Sequence, residues 1–259
     1  MKRGTLARLA LLSSRFDPML GTAETLLRME YPGDSPGKNL IVFLPGIGDL
    51  AEDFERNGFI ADLRRQGIDA DAVAVDAHYG YYASRAIHAR IAEDVVDAAQ
   101  EAGYERVWLA GISLGGFGAS SFAASTSSRL SGLLLLAPYL GSGGLTREIA
   151  AAGGLGQWEP GRVHAGDYPR AVWAWLKENY ARQGSTVPIY LGYGTNDMFA
   201  GANALLADVL PASQVVSVRG GHDWTTWKKL WPQMLAGCKA RLEPSYAPAS
   251  SSPVSGSIA

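Results

Sequence analysis

Short apolar runs alternate along the chain with longer segments in which apolar residues recur every three or four positions. Strands buried on both faces read as unbroken apolar runs, while helices packed on a sheet show one apolar stripe, so this alternation predicts a mainly parallel sheet covered on both faces. Runs at 39–44 (N-L-I-V-F-L), 72–75, 106–110, 133–136, 187–191 and 214–218 are the expected strands. A helix over about 50–65 is expected to start at a capping box made by Asp49 and Glu52. A second, over about 84–102, places Ile87, Ile91, Val95 and Ala98 on one face and leaves His88 exposed. A third follows at 117–124, and a C-terminal helix carries Trp224, Trp227 and Trp231 at i, i+3 and i+7 as a packing face. Residues 78–82 (H-Y-G-Y-Y) read as an aromatic loop.

The two ends depart from this pattern. Residues 1–24 begin with basic residues and an apolar stretch that imitates a signal peptide, but Arg8 interrupts it, Arg15 closes it and no clean cleavage site follows. The expectation is an N-terminal arm on a cytoplasmic protein, with export as the alternative. Residues 244–259 form a Ser/Pro/Ala-rich tail expected to be disordered, leaving 25–243 as one domain. Within it, 141–186 is long for a crossover between neighbouring strands and carries Trp158, Tyr168, Trp173, Trp175 and Tyr180. A lid or cap over the mouth of the sheet is expected there; the competing reading is an ordinary helix and loop that bury the aromatics in the core.

Composition narrows the partners. The chain has 259 residues, a formal net charge of -2 and no basic stripe, which gives no footing for nucleic acid. No apolar run approaches the roughly 20 residues of a membrane span. The single cysteine, Cys238, falls in the C-terminal helix and reads as a packing residue. No cluster of cysteine or histidine suggests a metal, and no cofactor is expected.

The stretch 107–120, V-W-L-A-G-I-S-L-G-G-F-G-A-S, sets a serine at the sharp end of an apolar run and flanks it with glycine. With 31 glycines in the chain, G-x-S-x-G is weak evidence alone. Its context is stronger, because a strand precedes Ser113 and a helix follows. That is the arrangement of a nucleophile elbow, in which the serine sits on a strained turn and its neighbours must be small.

A serine hydroxyl needs a base, and a histidine base needs a carboxylate on its other nitrogen. In a parallel sheet these partners come from loops beyond the carboxyl ends of later strands. Asp197 follows the 187–191 strand in G-Y-G-T-N-D, and His222 follows the last strand in R-G-G-H-D-W. Asp223, next to the histidine, suits the N-cap of the Trp helix better than the acid role. An oxyanion hole would take one backbone N–H from Leu114 and a second from the 45–49 loop, P-G-I-G-D, at Ile47.

The ordered set of G-I-S-L-G at 111–115, G-T-N-D at 194–197 and G-G-H-D-W at 220–224 resembles the α/β-hydrolase family of serine esterases and lipases over roughly 25–240. Many of that family have His-Gly before the oxyanion residue, whereas this chain has Pro45-Gly46. The resemblance implies the α/β-hydrolase fold and attack by Ser113 on an ester carbonyl, with His222 as base, Asp197 as its carboxylate and an acyl-enzyme intermediate. It implies no cofactor and a small-molecule ester partner with an apolar portion. His78, Tyr79, Tyr139, Trp158 and Met198 are the candidate substrate-binding positions. The same motifs also serve thioesterases, acyltransferases, peptidases, cofactor-free haloperoxidases and low-turnover ligand-binding homologues.

Overall fold

The computed structural model describes residues 26, 28–33, 38–181 and 187–242, so the N-terminal arm and the Ser/Pro/Ala tail lie outside the described residues. Among the described residues there are seven strands: β1 (Arg28–Tyr31), β2 (Asn39–Leu44), β3 (Asp71–Val75), β4 (Arg106–Ile112), β5 (Gly132–Leu136), β6 (Ile189–Gly194) and β7 (Val215–Val218). They form one sheet in the order β1-β3-β2-β4-β5-β6-β7, parallel except for β1, which pairs antiparallel with β3. The six expected runs are all strands. β1 escaped the sequence pattern because R-M-E-Y is short and largely exposed at the sheet edge.

Registers align the carboxyl ends at one edge of the sheet. Leu44 pairs with Gly111, Ile112 with Leu136, Leu136 with Gly192, and Gly194 with Val218. The loops that follow β2, β4, β6 and β7 therefore emerge side by side.

Alternate residues of the central strands feed two cores. Leu40, Val42 and Leu44 of β2 pack in one with Leu109, Phe122 and Trp173; Ile41 and Phe43 pack in the other with Trp108, Phe54, Phe59 and Trp231. This two-sided burial is what makes the strands read as continuous apolar runs. The second core is closed by α1 (Glu52–Arg56), α2 (Phe59–Arg65) and the C-terminal helix, Trp224–Leu242. Phe59 stacks on Trp231 with centroids 4.9 Å apart, and the Trp231 indole N–H donates to the Phe59 carbonyl at 3.0 Å. Trp224, Trp227 and Trp231 do form the expected packing face. Cys238 is fully buried, and burial pushes its thiol up to about 12, in keeping with a packing role.

Several sequence expectations are corrected. The single helix over 50–65 is two, broken at Asn57-Gly58, where Gly58 takes a left-handed φ of 84°. No capping box opens it: Asp53 accepts from the Leu50 N–H at 2.9 Å, and Asp49 instead accepts from the Trp224 indole at 3.0 Å. Residues 78–82 are not a loop; α3 (Tyr79–Ala83) begins there, capped by His78, whose Nδ1 accepts from the Gly80 N–H at 3.1 Å.

The helix expected over 84–102 runs from α4 (Ile87–Ile91) through a π-helical stretch, Ala92–Asp97, into α5 (Ala98–Glu101). A π turn adds one residue to the repeat, so the buried face passes from Ile87, Ile91 and Val95 to Val96 and Ala99 rather than to Ala98. His88 is not exposed but half-buried against Ser121.

After β4 comes α6 (Leu114–Thr126), and after β5 come α7 (Gly143–Ala151) and α8 (Tyr168–Leu176). The three tryptophans of this segment are packing residues: Trp158 is 2%, Trp173 0% and Trp175 8% exposed, and the Trp173 indole donates to the Leu140 carbonyl at 2.7 Å, whereas Tyr168 and Tyr180 are half-buried. The remaining α-helices among the described residues are α9 (Ala200–Ala207) and α10 (Trp224–Leu242). Among the described residues no helix is long and apolar enough to cross a membrane.

Candidate active site

Ser113 stands between β4 and α6 with φ 51° and ψ −112°, a backbone conformation that L-residues rarely adopt. Three hydrogen bonds hold it there. Its N–H donates to the Leu136 carbonyl at 3.0 Å, and its carbonyl accepts from Phe117 at 3.1 Å and Tyr139 at 3.0 Å. The flanking glycines are required by close approach. A Cβ at Gly111 would run into the Gly115 backbone, and one at Gly115 into the Leu44 carbonyl. The strain at the serine is thus imposed by the strands on either side of it.

The loops after β6 and β7 are tied together before they deliver their side chains. Thr195 N–H donates to the Val218 carbonyl and Asn196 N–H to the Gly220 carbonyl, both at 2.9 Å. Asp197 has one oxygen held by the Phe199 N–H at 2.7 Å, leaving Oδ2 on His222 Nδ1 at 2.7 Å. His222 Nε2 lies 2.9 Å from Ser113 Oγ. Asp223 turns away, as expected of a cap, and accepts from the Thr226 N–H at 2.8 Å.

The Asp197 side chain is fully enclosed while that of His222 keeps 20% exposure, so the carboxylate is shielded and the imidazole reachable. Ser113 is 5% exposed and forms the floor of the site. Phe199 and Trp227 flank the imidazole, with centroids at 5.0 and 5.1 Å and both rings nearly perpendicular to it. Phe199 was not singled out from the sequence, although its place two residues after Asp197 in D-M-F was a readable signal.

Leu114 opens α6 directly behind Ser113. Ile47 sits in a turn closed by the Asp49 N–H on the Gly46 carbonyl at 3.1 Å, with Gly48 at φ 80°. A Cβ on Gly46 would stand 3.5 Å from that of Ser113, which brings this turn against the serine. Among the described residues neither the Ile47 nor the Leu114 N–H has a hydrogen-bond acceptor.

The expected substrate-binding positions separate. Tyr139 is half-buried near the serine, with its ring 5.7 Å from Phe117 and 5.5 Å from Phe199. Met198, adjacent to Asp197, is 76% exposed, and Tyr79 is exposed on α3. His78 is committed to capping α3 and to its contact with Tyr81. Trp158 is enclosed, with its indole N–H on Glu148 at 2.8 Å and the Arg170 guanidinium over its ring, so it presents no face to a substrate. Among the described residues no three His, Cys, Asp or Glu side chains gather as metal ligands.

Comparison with known proteins bears on the fold and the family. No curated protein matches the sequence. The chain is similar in structure to a fluorophosphonate-binding serine hydrolase of Staphylococcus aureus, at 14% identity and TM-score 0.58 over 85% of this chain and 99% of that one. It is similar to an S-formylglutathione hydrolase of the same organism, at 12% identity and TM-score 0.55 over 85% and 96%. A monoacylglycerol lipase of Paleococcus ferrophilus gives 16% identity and TM-score 0.52 over 82% and 99%. Identities this low speak to the fold alone. Residues 41–255 match the family model of the alpha/beta hydrolases, and the chain belongs to that family.

Proposed function

We propose that this hydrolase cleaves carboxylic esters through an acyl-enzyme on Ser113. The observation that carries the reading is the unbroken relay from Asp197 Oδ2 to His222 Nδ1 at 2.7 Å and from His222 Nε2 to Ser113 Oγ at 2.9 Å. Asp197 fixes the tautomer that leaves Nε2 free to accept, so His222 takes the serine proton as Oγ attacks the carbonyl carbon. The negative charge that develops on the carbonyl oxygen falls to the N–H groups of Leu114 and Ile47, each worth about 10²- to 10³-fold in rate by analogy with measured oxyanion donors. His222 then returns the proton to the leaving alcohol, and a water activated by the same nitrogen releases the acid.

Tyr139, Phe199, Ile47 and Met198 supply apolar surface around this point, which favours an ester with an apolar portion. The test is a fluorophosphonate probe followed by peptide mapping. Modification at Ser113, absent from Ser113→Ala, is the expected result; labelling that persists in the variant would put the nucleophile elsewhere. A panel of p-nitrophenyl esters, thioesters and anilides then ranks the bond cleaved, with esters expected to lead.

A further inference from the structure

Two turns along α6 from Ser113, a second group of polar side chains surrounds a small cavity of about 30 Å³ that the proposed chemistry does not use. Tyr82, Arg85, Ile87, His88, Phe117, Ser121 and Tyr168 line it. His88 Nε2 lies 2.7 Å from Ser121 Oγ, and burial holds the imidazole below its ordinary pKa, so it is neutral. The Tyr82 hydroxyl is buried and has no hydrogen-bond partner among the described residues, and burial raises its pKa, so it keeps its proton. The hydroxyl is thus a buried donor on the cavity wall with no acceptor of its own among the described residues. A Cβ on Gly118 would stand 2.6 Å from that hydroxyl, so α6 carries a glycine where the phenol presses on it.

Arg85 supplies the charge. It forms no ion pair with a described residue, and its guanidinium lies 5.8 Å over the Tyr168 ring. Its backbone has φ 64°, the left-handed position just beyond the end of α3 where glycine is ordinarily preferred. An arginine is held there despite the conformational cost.

Position relates this cavity to the reaction. Ser113, just ahead of α6, and Phe117 and Ser121 within it follow one another at four-residue steps, about 12 Å from first to last at 1.5 Å per residue. Phe117 is both a wall of the cavity and a neighbour of Tyr139, whose amide holds the Ser113 carbonyl. Phe117 thus borders the cavity on one side and the surroundings of Ser113 on the other.

We propose that this pocket receives the far end of the acyl chain, and that the preferred substrates are esters carrying a carboxylate at the end distant from the reacting carbonyl. Arg85 pairs with the carboxylate and the Tyr82 and Ser121 hydroxyls donate to it, while Phe117 and Tyr139 line the chain between. The proposal rests on the reading of Ser113 as nucleophile, but its test uses protein in which that chemistry is removed.

In Ser113→Ala protein, binding of monomethyl suberate and of methyl octanoate is compared by calorimetry. The two ligands differ only in the distal group. The half-ester is expected to bind at least tenfold more tightly, and Arg85→Gln introduced into the same background is expected to erase the difference. Arg85→Gly, which also eases the left-handed backbone, keeps the comparison available should the glutamine variant fold poorly, and should erase it equally. Equal affinities for the two esters, or a preference that survives loss of Arg85, would overturn the assignment. Failure of Ser113 labelling in the wild-type protein would strike the ester-hydrolase reading and leave this binding result to stand or fall separately.

Discussion

Two histidine–serine pairs share helix α6, and their serines are almost equally enclosed. His222 reaches Ser113 at 2.9 Å and His88 reaches Ser121 at 2.7 Å; the serines are 5% and 4% exposed. Proximity therefore does not distinguish them. The backbone and the second imidazole nitrogen do. Ser113 sits at a strained junction ahead of the helix, with the first amide of α6 beside it, whereas Ser121 is in the regular interior of α6, where backbone N–H groups are committed to the helix. His222 is backed by an enclosed carboxylate, while among the described residues no carboxylate pairs with His88. A hydroxyl close to an imidazole is thus a common structural pair, and it gains the means for chemistry only from strain, a fixed tautomer and donors aimed at developing charge.

The largest expected effect breaks the first pair. Ser113→Ala or His222→Ala should lower kcat for a p-nitrophenyl ester by about 10⁶-fold, as loss of a nucleophile or base does in a triad enzyme. Fluorophosphonate should not transfer to Ser121 in Ser113→Ala, which mass spectrometry of the labelled peptide would show. Asp197→Asn leaves nucleophile and base in place but offers the wrong hydrogen-bonding partner, and should cost about 10⁴-fold in kcat.

Stability changes are smaller and separate the two ends of α6. Gly115→Ala drives a methyl into backbone at Leu44, which cannot swing aside, and should destabilise by about 1–3 kcal/mol in urea unfolding. Gly118→Ala meets the end of the Tyr82 side chain, which can shift, so it should cost less than Gly115→Ala in the same measurement.

The smallest effect concerns pH. Burial lowers the His88 pKa in the folded state, so the unfolded chain binds its proton first as pH falls. Stability should be unaffected above the unfolded value of about 6.5 and decline below it. His88→Gln should remove that part of the decline, read as a smaller change in urea midpoint between pH 8 and pH 5.

Much of the scaffold was legible because burial on both faces writes itself as uninterrupted apolar runs. The exceptions are instructive. β1 is exposed and polar, so only pairing with β3 makes it a strand. Asn57-Gly58 did signal a break in the first helix, but the periodicity on either side ran through it. The π stretch after Ile91 adds a residue to the helical repeat through packing and leaves no mark in composition. His88 was misplaced because a single polar residue on a helix gives no hint of what faces it.

The order of Ser113, Asp197 and His222 along the chain, the glycines around them and the strand before each were determined by the sequence, because local turn chemistry and apolar runs are written in adjacent residues. Their meeting was not. Ser113 and His222 are 109 positions apart, and only the pairing of β4, β5, β6 and β7 in aligned register brings their loops within hydrogen-bond reach. Phe199 against the imidazole, Trp158 withdrawn into the core and Arg85 beside Tyr168 likewise depend on which segments pack together. Such contacts are settled by the whole chain burying its apolar surface at once, and no short stretch of sequence encodes that balance.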